Sequence, residues 1–342
     1  MKGFDNKVKL IAVLVLITGT TALSQSQSGW RGTGQSGIYS ETGLLKIWPA
    51  SGPELLWEAK GIGPGYSSVT VSDEAVYITG RKGNKDVLSS FSQDGKKNWE
   101  VIYGNSSDSN FPDSRCTPAF SSDKIFVVSG EGDMVCIGKD GKIFWSVNYF
   151  KKYKGKIPQF GISESPVIVD NKVIGTPGGN MASMVAFNVE NGSVAWEAQS
   201  VNDPSHYVNP LLIETGGMKI IVTVTEGRMI AVNSANGKLL WNMNYEGQNA
   251  QPTGDRNHAN TPVYRDGFIL AANGYEQVAL KLKINTNGSE PSVVWKNTDL
   301  TPHVGGMVLL GNYISGPYWA HPVINKGRLF VRHGDYLGVF SI

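Results

Sequence analysis

Six tryptophans recur at near-constant spacing, and this repeat constrains the fold more than any other feature of the chain. Asp94-Gly95-Lys96-Lys97-Asn98-Trp99, Asp140-Gly141-Lys142-Ile143-Phe144-Trp145, Asn191-Gly192-Ser193-Val194-Ala195-Trp196 and Asn236-Gly237-Lys238-Leu239-Leu240-Trp241 each place an indole four residues after the glycine of an Asp-Gly or Asn-Gly pair. Gly52 to Trp57 and Gly288 to Trp295 repeat the arrangement with one and three extra residues. Positions 57, 99, 145, 196, 241 and 295 are spaced by 42, 46, 51, 45 and 54, the period of a four-stranded propeller blade.

Local chemistry explains the unit. Asn-Gly and Asp-Gly suit the positive-φ positions of a tight hairpin, so each tryptophan falls on the strand leaving the turn. A second repeated element precedes each hairpin: Thr117-Pro118, Ser165-Pro166, Asn209-Pro210, Thr261-Pro262 and His321-Pro322, each followed by apolar residues. Proline is tolerated at a strand start, so these read as innermost strands. Lys124 to Ser129 and Met134 to Gly138 supply the second and third strands of one unit. No 3.6-residue apolar period is sustained after the N-terminal segment, and the expected fold is an all-β propeller.

The unit from His321 to Ile342 has no tryptophan strand of its own, whereas Pro53 to Ala59 is a tryptophan strand with nothing before it. Trp57 is therefore expected to complete the C-terminal blade. Residues 303–316 hold a further hairpin that runs at once into Pro317-Tyr318-Trp319, without outer strands. The reading is seven blades with the sixth incomplete, six and eight being the alternatives.

Lys2, Lys7 and Lys9, the apolar run Leu10 to Ile17, and Ala22-Leu23-Ser24 form a secretory signal expected to be cleaved near Ser24. The alternative, an N-terminal membrane anchor, is opposed by an apolar run far short of the ~20 residues a spanning helix needs. The expected organisation is residues 1–24 as signal, 25–52 as a lead-in segment and 53–342 as one propeller domain, in a periplasmic or secreted protein. Gly32-x-Gly34-x-x-Gly37 resembles a dinucleotide fingerprint in letters only, lacking the strand and helix that motif requires, and reads as a flexible part of the lead-in. Cys116 and Cys136 fall on the first and third strands of one unit, about 9 to 10 Å apart, and are expected as two buried thiols. Thirty-one basic and 29 acidic residues leave a formal charge of +2, which supplies no electrostatic ground for a nucleic-acid partner. Lys151-Lys152-Tyr153-Lys154-Gly155-Lys156 reads as a solvated connection between blades.

The Gly-Lys-x-x-Trp hairpins resemble the quinoprotein-type, or PQQ-like, propeller repeat over about residues 50 to 342. Trp48-Pro49, Gly52-Pro53, Leu55-Leu56-Trp57 and Ala320-His321-Pro322-Val323-Ile324 resemble exported bacterial PQQ-binding-like repeat proteins, a group similar in fold to the outer-membrane assembly propeller BamB. The resemblance implies that Trp57, Trp99, Trp145, Trp196, Trp241 and Trp295 pack between neighbouring blades. It also implies, as the alternative function, an oxidoreductase acting on alcohols or sugars with PQQ and calcium. The quinoprotein pattern of adjacent cysteines is absent, since Cys116 and Cys136 lie twenty apart, and no residue carries over as a quinone ligand.

His206, His258, His303 and His321 fall near the starts of inner strands in four successive units, with Arg115 and Glu164 similarly placed in the second and third. With Tyr207, Asn209 and Asn260 they are candidates for a polar funnel at one mouth of the central channel. The funnel would bind a small ligand, or a metal such as zinc. The competing reading is that each residue satisfies buried backbone at a crowded channel. The sequence favours a non-catalytic exported binding or scaffold propeller, with an envelope protein, a peptide or a small ligand as partner, no required cofactor and no membrane-spanning segment. A degraded relative that lost its sixth outer hairpin is the remaining possibility.

Overall fold

The computed structural model describes residues 30–32, 35, 39, 41–245, 248, 257–274, 278–302, 307–310, 313–315 and 320–342. The proposed signal segment, His303, Trp319 and most of the Gly32–Gly37 motif lie outside the described residues. Described strands build six four-stranded antiparallel sheets in the propeller order, a two-stranded hairpin, and a short two-stranded pair of Gly178–Gly179 with Asp203–Pro204.

Blade 1 runs Thr70–Val71, Ala75–Lys82, Lys85–Ser92 and Lys97–Asn105, and blade 2 runs Ala119–Ser121, Lys124–Val128, Asp133–Gly138 and Ile143–Asn148. Blade 3 comprises Val167–Val169, Lys172–Gly175, Val185–Asn188 and Val194–Glu197; blade 4 comprises Leu211–Thr215, Met218–Val224, Arg228–Asn233 and Leu239–Asn244. Blade 5 is Val263–Arg265, Phe268–Ala271, Ala279–Lys283 and Ser292–Asn297, followed by the hairpin Val308–Leu310 and Tyr313–Ser315. The closing blade joins Val323–Asn325, Arg328–His333 and Tyr336–Ser341 to the N-terminal strand Leu55–Lys60, with Trp57 opposite Val339. Closure by Trp57 is thus as the repeat implied. One short helix, Tyr149–Tyr153, lies on a connection and buries its aromatic side chains while Lys151 and Lys152 stay exposed.

The cores lie between blades. One apolar cluster joins blades 1, 2 and 3, others join 3 to 4 and 4 to 5, and a further one joins the closing blade to blade 1. At the heart of four junctions an indole lies flat on the turn glycine of the next blade. The Trp57 ring rests against Gly95, Trp99 against Gly141, Trp145 against Gly192 and Trp196 against Gly237. A Cβ on each of these glycines would come within 2.7, 2.9, 2.8 and 2.6 Å of the ring. The same indoles donate Nε1–H to carbonyls in or beside those turns, at Gln93 (3.0 Å), Lys139 (2.7 Å), Val189 (3.1 Å) and Ser234 (2.9 Å). Covering an indole of 150–250 Å² contributes about 4–6 kcal/mol as an upper figure.

The series then stops. Trp241 is buried but its Nε1 has no partner, and Gly288 in the longer turn of blade 5 abuts Met218 and Leu240 instead of a ring. Trp295 is 40% exposed, which corrects the expectation that it packs between blades. The physical reason is the hairpin that follows blade 5: two strands cannot offer an outer turn for Trp295 to rest on. Gly52, at φ +82°, correspondingly has nothing within 4 Å of a Cβ position.

A second device holds the inner ring. In blades 2 to 5 the residue before the inner-strand proline accepts the backbone N–H of its counterpart one blade earlier. Ser68 donates to Thr117 Oγ1 (2.9 Å), Thr117 to Ser165 Oγ (2.9 Å), Ser165 to Asn209 Oδ1 (2.6 Å) and Asn209 to Thr261 Oγ1 (3.0 Å). Ser68 Oγ reaches back to the His321 carbonyl at 2.9 Å, joining the closing blade to the belt. A residue before proline is held extended, and proline itself has no N–H, so this residue is where an inner strand can present both a donor and an acceptor to its neighbours.

Deleting residues 53–59 removes both the closing strand and the first docked indole, and circular dichroism and heat denaturation should show no cooperative fold. Gly141→Ala drives a methyl into the Trp99 ring at φ +84° and should cost about 2–4 kcal/mol in urea denaturation. Gly52→Ala, at a similar φ beside open space, should cost about 1 kcal/mol.

Candidate functional site

Inner strands begin on the face that also carries the connections leaving each outer strand. Those connections include residues 106–118, 149–166 and 198–210 and, of the one after blade 4, the described residues 245, 248 and 257–262. Phe111 meets Phe160 edge to face with centroids 5.5 Å apart, and Phe160 lies 6.0 Å from Tyr207. Tyr207 contacts His206 at 5.2 Å, His206 contacts His258 at 5.8 Å, and His258 contacts Tyr245 at 5.2 Å. One band of rings therefore spans four successive connections. Phe111 is 45% exposed, and Phe160, Tyr207 and His206 are half-buried.

Arg115 sits inside this band. Its guanidinium donates to the carbonyls of Phe111 and Phe160 and lies over the Tyr66 ring, 6.0 Å from its centroid. Burial lowers its pKa from the ordinary value. Two carbonyl bonds from one cation tie the first two connections together and hold Phe111 and Phe160 in place. The Phe160 backbone N–H in turn donates to Tyr207 Oη at 3.1 Å, and Ser163 Oγ donates to the Tyr207 carbonyl at 3.2 Å.

His258 and His206 bond to the scaffold. His258 is buried, with Nε2 at 3.0 Å from the Glu226 carbonyl and Nδ1 against the Asn273 amide. The carbonyl requires Nε2 to carry the proton, so Nδ1 accepts from Asn273, and neither nitrogen remains for a metal. His206 Nδ1 accepts the His258 backbone N–H at 3.1 Å, while the Tyr207 N–H donates to the His258 carbonyl at 3.1 Å. Asn209 belongs to the inner belt, and Asn260 donates Nδ2–H to the Pro302 carbonyl at 2.6 Å. His321 is buried on the far side of the ring, edge-on to Trp30 at 5.9 Å. Of the groups expected to form a polar funnel, Arg115, His206, Tyr207 and His258 share one aromatic band, Asn209, Asn260 and His321 have backbone or ring neighbours, and His303 lies outside the described residues.

Among the described residues no three His, Cys, Asp or Glu side chains gather as a metal would need. Cys116 and Cys136 are free and buried, and burial pushes both thiols up.

Two buried carboxyls remain. Glu164 Oε2 accepts from Tyr149 Oη (3.0 Å), Thr176 N (3.1 Å) and Thr176 Oγ1 (2.7 Å), while Oε1 has no partner. Asp86 Oδ2 accepts from Gly130 N at 2.8 Å and its Oδ1 likewise has none. Desolvation raises both to about 7. Sequence reasoning passed over Phe111, Phe160, Tyr66 and Tyr245, because their common position in connections is apparent only once the inner strands are placed.

A family model described as outer membrane protein assembly factor BamB matches residues 84–318. An uncharacterised protein of Rickettsia conorii is 28% identical over 153 residues, 43% of this chain, and the chain spans only 34% of that protein. Among solved structures, a quinohemoprotein alcohol dehydrogenase from Pseudomonas putida aligns with TM-score 0.50 and 15% identity, covering 81% of this chain and 52% of its own. The chain thus spans about half the length of that enzyme, and the likeness is one of fold. BamB from Moraxella catarrhalis aligns with TM-score 0.45 and 13% identity over 89% of this chain and 98% of its own.

Glu164 and Asp86 hold their protons more tightly folded than unfolded, so their contribution to stability is fully present below pH ~4 and is lost as pH rises toward 7. Stability in urea should fall between pH 5 and pH 8. Glu164→Gln should flatten that dependence, removing up to roughly 3 kcal/mol of it.

Proposed function

Because the chain belongs to the PQQ-like repeat family described as outer membrane protein assembly factor BamB, we propose that it is an exported, non-catalytic binding propeller of the cell envelope. Its partner is a protein segment that docks on the aromatic band. The observation that carries this reading is the run of rings from Phe111 through Phe160 to Tyr207, pinned by Arg115 and open to solvent at Phe111. Aromatic residues and arginine are the side chains that dominate protein interfaces, since they bury large rigid areas at small entropic cost. Connections on a rigid ring are also where a scaffold places its contacts.

Export accords with the N-terminal signal pattern, and no helix among the described residues is long and apolar enough to cross a membrane. The alternative, a PQQ-dependent dehydrogenase, draws on the repeat resemblance and on the likeness in fold to the quinohemoprotein alcohol dehydrogenase.

A photo-crosslinking residue placed at position 111 or 207 in cells should give one shared protein adduct. The same probe at Asn287, on the opposite face, should not. Phe111→Ala combined with Tyr207→Ala should weaken recovery of that partner at least tenfold with an unchanged melting profile. Equal labelling from position 287, or undiminished recovery by the double variant, would sink the assignment.

A further inference from the structure

Two arginines are almost wholly buried, and their surroundings differ in kind. Arg332 donates from Nε to the Gly334 carbonyl (3.1 Å), from Nη1 to Ser67 Oγ and to the Thr79 carbonyl (2.7 Å), and from Nη2 to the Gly63 carbonyl (2.9 Å). Every nitrogen of that guanidinium has an acceptor, and Gly65 is packed against it so closely that a Cβ would lie 2.3 Å from Nη2.

Arg31 is 1% exposed and makes one hydrogen bond, from Nη2 to the Met307 carbonyl. Its Nε and Nη1 have no acceptor. The side chain lies over the Trp30 ring, 5.2 Å from the centroid, and Trp30 stands edge-on to His321. Among the described residues Tyr39 is the titratable group that acts on it, and no carboxylate does. Tyr39 itself donates to the Pro322 carbonyl at 3.3 Å, and burial pushes its phenol up to about 12, so it supplies no negative charge near neutral pH.

A buried cation with open N–H groups is costly, because desolvation is not repaid by hydrogen bonds or by a counter-charge. That cost appears as a guanidinium pKa lowered to about 10. Arg332 shows that this fold can satisfy a buried arginine with carbonyls alone. At Arg31 it does so for one nitrogen of three. Nε and Nη1 are thus left to an acceptor such as water or an anion, and of these the anion also neutralises the charge.

We propose that Arg31, beside Trp30 and the start of the closing blade's inner strand, binds a small oxyanion, a carboxylate or a phosphate, through Nε and Nη1. The site is independent of the aromatic band. It lies where the lead-in segment meets both the two-stranded hairpin, at Met307, and the closing blade, at His321 and Pro322. Occupancy would neutralise the charge at that three-way contact and so tighten the junction where the indole series is interrupted.

Calorimetric titration of the intact protein with inorganic phosphate and, separately, with malonate tests this at fixed ionic strength. Saturable heat from one or both is expected, and the responding ligand assigns phosphate, carboxylate or both. Arg31→Met should weaken that binding at least tenfold. Should that variant fail to fold, Arg31→Lys keeps a charge but loses the planar donor set, and should also bind at least tenfold more weakly. No saturable heat from either ligand, or affinity within twofold of the parent in a folded variant, overturns the proposal.

Discussion

An indole lying on a turn glycine is the contact on which the ring depends. It requires three things at once: a glycine at positive φ, a bare Cα surface for the ring to touch, and a carbonyl beside the turn to receive the indole N–H. Gly141 under Trp99, with Trp99 donating to Lys139, satisfies all three. Each dock joins the outer strand of one blade to the outer turn of the next, so stability passes between blades rather than residing within one sheet. The series begins with Trp57, from the N-terminal strand that closes the last blade. Ring closure and inter-blade adhesion are therefore the same interaction at that junction.

The interruption after blade 5 is accommodated by side-chain choice. In blades 1 to 4 the residue paired with the tryptophan on the neighbouring strand is Ser90, Cys136, Ala186 or Ala231, small enough for the next blade to approach. In blade 5 the paired residue is Lys281, exposed, with its ammonium 4.6 Å from the Phe268 ring. A long cation there is favourable only if no blade is stacked against it. The exposed Trp295 and the open surface above Gly52 are the two sides of the same absence. The lead-in segment offsets part of it, since Trp30 and Arg31 contact the hairpin and the closing blade from within.

The inner belt and the aromatic band divide the work of the connections. Residues just before the inner-strand prolines turn toward the axis and hydrogen-bond to the neighbouring blade, as Thr117, Ser165 and Asn209 do. Residues a few positions earlier lie on the rim, where they meet rings from adjacent connections. Phe111 and Phe160 come together because Arg115 takes a carbonyl from each. The band is consequently as rigid as the belt beneath it, which favours a surface presented to a partner over one that forms on binding.

Periodic chemistry was legible in the residues alone. Asp-Gly or Asn-Gly followed by tryptophan, proline at each inner strand, and a spare tryptophan strand at the N-terminus determined the blade repeat and its closure, because turn geometry and strand pairing act over a few residues. The role of the histidines is not legible in this way, for the opposite reason. Their position near strand starts is local, but whether His258 faces a ligand or the Glu226 carbonyl depends on chain more than thirty residues away. Trp295 fits the repeat in letters and lacks only the surface a neighbouring blade would supply. Arg31 looks like part of a polar lead-in, and only the packing of Trp30, Met307 and His321 decides that its charge is buried, because burial is set by elements almost three hundred residues apart in sequence.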